Sequence, residues 1–132
     1  MYIIRKKSDH QIHQSAFCGR LAEVLRPEDY GALDIAMLEN VQETIGHYHR
    51  TFDEIYVVTA GSLKVAFFDP KADKRWVEQL DTDELCVIPK NLHHKILGGS
   101  TENKLLVVCI PRFELSDEYR SEILEAVHTE RG

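Results

Sequence analysis

His47 and His49 stand one residue apart in the segment GHYHRTFDEIYVVTAG at 46–61, and a carboxylate, Glu54, follows them. Imidazole nitrogens and carboxylate oxygens are the donors that divalent transition metals take, and a few of them at one point leave positions open for water or a substrate. Alternate side chains of an extended chain share a face, so His47 and His49 point one way and Tyr48 the other. A turn through residues 50–53 brings the next strand back beside the first and sets Glu54 opposite the pair. Asp53 competes as the carboxylate, but its side chain falls on the other face. The segment PKNLHHKIL at 89–97 offers a fourth donor. There Lys95 has the parity of His93, while Leu92 and Ile96 have that of His94. If the lysine faces solvent, His94 faces inward. Tyr56 shares the parity of Glu54, which places its phenol near the metal as a proton donor or substrate contact, with packing as the default role.

These side chains need a rigid frame, and β signals supply one. Residues 32–39 read as a strand after the turn sequence PEDYG. Residues 55–58 and 63–68 flank Ala60-Gly61-Ser62, a tight hairpin connection with glycine where a positive φ is needed. Further strands are expected at 75–80, 85–89, 93–97 and 104–110, with DPKADK and GGSTEN as turns. Short strands at close intervals predict an all-β sandwich or barrel. The end differs: from Ser116, a good N-cap, Tyr119, Ile123 and Val127 recur every four residues with acids in the first turn. That pattern predicts one amphipathic helix, at about 116–130, on the outside of a barrel spanning about 15–112. The acidic runs DTDE and DEYRSE read as solvated turn and helix-start features.

The donor spacing resembles the cupin superfamily. Its first motif asks for two histidines one residue apart, a glutamate after a short gap and a glycine further on, matched by His47, His49, Glu54 and Gly61. Its second asks for Pro-x-Gly, two residues, then His, matched at Pro89 and His94 with Asn91 in place of the glycine. The motif glycines elsewhere fall on Val41 and Asp83, and the closing asparagine on Gly98. Asn91 still tolerates a left-handed turn. The resemblance implies a jelly-roll, double-stranded β-helix fold with a C-terminal α-helix, in a single domain over 1–132. It also implies one divalent metal ion inside, held by His47, His49, Glu54 and His94, and frequent dimerisation.

Composition narrows the partners. A chain of 132 residues buries one core and no more. A net charge of -6 disfavours nucleic acid and anionic membranes, which leaves a small molecule as the expected partner. Cys18, Cys86 and Cys109 are odd in number and sit among apolar residues, as reduced core thiols of a cytoplasmic protein do. No secretory h-region appears near the N-terminus, and no apolar run is long enough to cross a bilayer. Residues 55–58 are apolar on both parities, so something covers the outer face of that strand. A second subunit is the expected cover, with residues 2–4 as a candidate exchanged strand.

Three functions fit this donor set. The first is a metal-dependent dioxygenase that takes an enol, catechol or diketone-like chelator. The second is a metal-dependent isomerase, epimerase or decarboxylase of a sugar or keto acid. The third is a binding module without turnover. Iron, manganese, nickel and cobalt suit six-coordination with open positions, whereas zinc prefers four ligands. Met37, Tyr56 and Phe67 or Phe68 are the expected pocket side chains.

Overall fold

A computed structural model describes residues 2–17 and 19–128. Eleven strands are described, β1 (Gln11–Ser15), β2 (Gly19–Leu25), β3 (Asp34–Glu39), β4 (His47–Tyr48), β5 (Asp53–Ala60), β6 (Ser62–Asp69), β7 (Lys74–Asp81), β8 (Leu85–Ile88), β9 (His93–Gly99), β10 (Lys104–Ile110) and β11 (Tyr119–Arg120). They form two antiparallel sheets, ordered β1-β2-β3-β10-β5-β8 and β11-β4-β9-β6-β7. The sheets face each other as a jelly-roll sandwich; they do not join into one closed barrel. Between them lies a core that includes Phe52, Val58, Leu63, Val65, Ile88, Ile96 and Leu105, all nearly inaccessible to water. Burying a side chain of this kind contributes roughly 1.5–3 kcal/mol, so the packed sandwich dominates stability.

Turn chemistry explains the hairpins. Gly61, between β5 and β6, has φ +70°, and a Cβ there would run into the Ser100 hydroxyl. Asp83 and Asn91, which replace motif glycines, also have φ +70°, a conformation that short polar side chains tolerate better than other non-glycine residues. The altered motif residues therefore keep the backbone shape the motif requires. Buried Asn103 ties the β3–β4 connection to the β9–β10 turn, accepting from the Val41 amide at 2.8 Å and donating to the Val41 carbonyl at 3.0 Å.

The C-terminal segment departs from the expected helix. A 3-10 turn at Leu115–Asp117 leads into β11, and α1 covers only Glu122–Glu125. Its cap is Ser121, not Ser116. Three contacts stop the helix from starting earlier. The Asp117 carboxylate accepts from the Arg50 and Thr51 amides, Tyr119 and Arg120 pair with Tyr48 and His47, and the Ser121 amide donates to the Gly46 carbonyl at 2.8 Å. Residues 129–130 of the expected helix lie outside the described residues, as does Cys18. Cys86 is half-buried and Cys109 buried, with the Cys109 thiol donating to Glu54 Oε2 at 4.0 Å. Among the described residues no helix is long and apolar enough to cross a membrane.

Lys95 corrects an assumption about the outer face of β9. It shares that face with His93 as parity requires, yet it is buried. The C-terminal segment covers it: the Lys95 ammonium donates to the Val127 carbonyl at 2.7 Å and pairs with Glu43 at 3.1 Å. Beside it Leu124 and Val127 pack on Ala66, Phe68 and Leu97. A Cβ on Gly46 would approach the Leu124 Cβ to 2.8 Å, so glycine just before His47 is what lets α1 lie flat. Gly46→Ala is expected to lift α1 and lower stability by about 1–3 kcal/mol, measured by urea denaturation.

Candidate metal centre

Both sheets contribute to one point. His47 on β4 lies directly opposite His94 on β9, so the two imidazoles share the inner face of the smaller sheet. His49 follows β4 on the same parity, and Glu54 comes from β5 in the larger sheet. All four are buried, and one ligand atom from each falls within a cluster no more than 4.8 Å across. The parity argument for His94, and the choice of Glu54 over Asp53, agree with this placement. Asp53 instead accepts from the Lys90 amide at 2.9 Å.

Hydrogen bonds fix which nitrogen faces the cluster. The Nδ1 atoms of His47, His49 and His94 donate to the carbonyls of Ile45, Asp117 and Leu92 at 2.7, 2.8 and 3.0 Å. A neutral imidazole so anchored presents an unprotonated Nε2, the form that binds a metal. His49 Nε2 and His94 Nε2 lie 2.8 and 3.1 Å from Glu54 Oε1. Despite these distances, none of the three atoms makes a well-directed hydrogen bond. Acceptors turned toward one another in a buried site need a cation among them. Adjacent donors at right angles around an ion with bonds of ~2.1 Å are ~3.0 Å apart, so these separations fit a metal.

The electrostatics agree. Burial, then the neighbouring His94, push the His47 imidazole down to about 3, so it is neutral at physiological pH. Burial also works against charge on His49, but the adjacent Glu54 carboxylate outweighs it and raises His49. Burial would raise the Glu54 carboxyl, whereas His49 and His94 hold it well below the usual carboxylate range. The cluster is thus one permanent anion facing three imidazoles. It attracts positive charge.

The centre opens on a cavity of about 510 Å³ between the sheets. Tyr56 lines it, edge-on to His94 with ring centroids 6.0 Å apart. The other expected pocket residues do not. Met37 lies opposite Leu106 on the outer face of its sheet, Phe67 stacks on Trp76, and Phe68 belongs to the cluster under α1.

Two functional candidates were hidden in what reads as a solvated helix start. Asp117 is buried; its carbonyl anchors His49, and its carboxylate holds the turn between the histidines and Glu54. Glu118 lines the cavity, and its Oε2 is buried without a hydrogen-bond partner. Burial pushes its carboxyl up to about 7, against the nearby His49 and with the nearby Glu54. Only the repeated Asp-Glu acids hinted at either, and such acids are common at helix starts.

The sequence matches no protein-family profile and no curated protein. Solved structures do match in fold. A protein from Planctomyces limnophilus is 20% identical with a TM-score of 0.73, over 90% of this chain and 96% of that one. A variant of Streptomyces PAC13 with uridine is 10% identical with a TM-score of 0.70, over 92% and 91%. A variant of the oxalate decarboxylase OxdC from Bacillus subtilis is 18% identical with a TM-score of 0.71, over 86% of this chain but 30% of that one. Jelly-roll sheets of this shape, with the donors of both motifs meeting between them, make this chain a cupin in fold, carrying a three-histidine, one-glutamate group able to hold a metal ion.

Proposed function

We propose that the protein is a metal-dependent dioxygenase acting on a small chelating substrate. The observation carrying this reading is the meeting of three imidazole nitrogens and a carboxylate oxygen beside a cavity between the sheets. His47, His49, His94 and Glu54 would hold one divalent ion, for which iron, manganese, nickel and cobalt are the best-suited candidates. When bound, such an ion gathers a chelating enol or diketone and dioxygen and stabilises the negative charge that develops. The chain's own part is positional: the Nδ1 anchors hold the rings, and the apolar walls exclude water. Protein purified without chelators is expected to carry about one ion per chain by elemental analysis. It is also expected to consume oxygen with a chelating keto-enol. Turnover that proceeds unchanged without oxygen would overturn the dioxygenase reading.

Tyr56 is proposed as a proton donor or substrate contact, from its place on the cavity wall beside His94. Tyr56→Phe is expected to keep the metal and to lower kcat by about a hundredfold. An unchanged kcat would leave the residue a packing role alone.

A second reading, a metal-dependent decarboxylase or isomerase, is supported by Glu118, a carboxyl opening on the cavity with no protein partner for Oε2. A carboxyl there is suited to hand a proton to a carbanion. The fold likeness to an oxalate decarboxylase points the same way. This reading predicts turnover without oxygen that Glu118→Gln abolishes.

A homodimer is proposed from the outer face of the larger sheet. Leu85, Val57, Leu106 and Met37 run across four adjacent strands in register, and Val87, Ile55, Val108 and Ile35 form the next row. So continuous an apolar face marks an interaction surface. Val57→Glu is expected to yield monomer in size-exclusion chromatography. The free Cys86 thiol supports a reducing, cytoplasmic location, and the net charge of -6 a small-molecule partner.

A further inference from the structure

The cavity is much larger than a metal-chelating head requires. Its volume, about 510 Å³, falls in the ~300–1,000 Å³ range of sites that take drug-sized ligands. A two-carbon acid or a bare diketone on the metal would fill only the end nearest the tetrad.

The rest of the wall states what belongs there. Leu21, Leu38, Leu105, Val107 and Phe113 line the cavity, and none offers a polar side-chain group. Two lining carboxyls, Asp34 and Glu118, each keep one buried oxygen without a hydrogen-bond partner, and the other charged side chains of the wall are paired. His13 meets Glu23 at 2.6 Å, and Arg26 meets Glu28 at 3.3 Å and Asp29 at 3.5 Å. A negative charge on the ligand body would lose its water and meet carboxyls and cations that are already paired.

We infer that the ligand is amphipathic, a bidentate chelating head on the metal joined to an uncharged apolar body that fills the trough between the sheets. This rests on the metal-centre reading above and adds the chemical class of the substrate. It favours keto-enols or catechols with an alkyl or aryl substituent over oxalate-like acids. Ala36 lines the cavity and lies opposite Val107 on one side and Glu23 on the other. A larger side chain there would occupy the space assigned to the body.

The test uses the full chain loaded with Co²⁺ and a series of straight-chain hydroxamates, from acetohydroxamate to octanohydroxamate, followed by isothermal titration calorimetry. The head is constant and only the body grows. Affinity is expected to rise about three- to fourfold with each added methylene, with an increasingly negative heat-capacity change. In Ala36→Phe the Co²⁺ stoichiometry and the acetohydroxamate affinity are expected to hold while the gain with chain length disappears. Stoichiometric Co²⁺ with equal affinity for every hydroxamate would overturn the inference and leave the metal centre standing. Failure to bind Co²⁺ at all would overturn both. Should Ala36→Phe not fold, the series on the unaltered chain decides alone.

Discussion

His49→Ala is expected to weaken metal binding by more than about a hundredfold while the two sheets stay folded. Loss of a residue that merely orients a ligand costs about 10–100-fold in affinity, and His49 is itself a donor, so its removal should exceed that range. Its Nε2 makes the closest approach to Glu54, at 2.8 Å, which makes it the imidazole most tightly coupled to the only anion in the group. The fold should survive because Phe52, Val58, Leu63 and Leu105 are packed between the sheets without help from the ion. Metal content after dialysis and the far-ultraviolet circular dichroism spectrum check both halves. Thermal melts add a second readout. Metal at a thousandfold excess over its dissociation constant should stabilise the unaltered chain by roughly 4 kcal/mol and the variant far less. A variant that retained full metal content would show that the ligands had been wrongly assigned.

The donors were legible in sequence because parity is a local property. Two histidines one residue apart share a face whatever the rest of the chain does, and the carboxylate five residues after the second belongs to the strand that the same turn begins. The central strands were legible for a similar reason: β5, β6, β9 and β10 carry apolar residues between turns whose chemistry is local. What escaped notice depends on distant partners. β1 is an exposed edge strand whose residues line a cavity instead of filling a core, so it lacks apolar alternation. β4 is two residues long and exists only through pairing with β9 and β11. The spacing of Tyr119, Ile123 and Val127 was real, but a helix from Ser116 would have given up the contacts of Asp117 with Arg50 and Thr51. Those span sequence separations of 66 and 67 residues and leave no local trace.

Asp117→Ala is expected to destabilise the protein by roughly 3 kcal/mol and to lower metal affinity, because one residue serves both functions. Its carboxylate accepts from the Arg50 amide at 3.0 Å, the Thr51 amide at 2.7 Å and the Thr51 hydroxyl at 2.6 Å. Alanine would leave these donors without their acceptor where the chain turns from His49 toward Glu54. The carbonyl that holds His49 Nδ1 would remain, but the segment carrying it would lose its attachment, so the ring would be oriented less firmly. A tenfold to hundredfold drop in affinity follows, smaller than for His49→Ala. The pH dependence separates this role from simple packing. Burial alone would raise the Asp117 carboxyl, but Thr51 and Arg50 outweigh it and hold it below the ordinary 3.8. A lowered folded-state value means the carboxylate contributes stability above the unfolded value, and this is lost as the pH falls through the folded one. Urea denaturation should therefore find Asp117→Asn less stable than the unaltered chain at neutral pH, with the gap closing as acid protonates Asp117. A gap that stayed constant into acid would show that the ionised carboxylate is not what holds the turn.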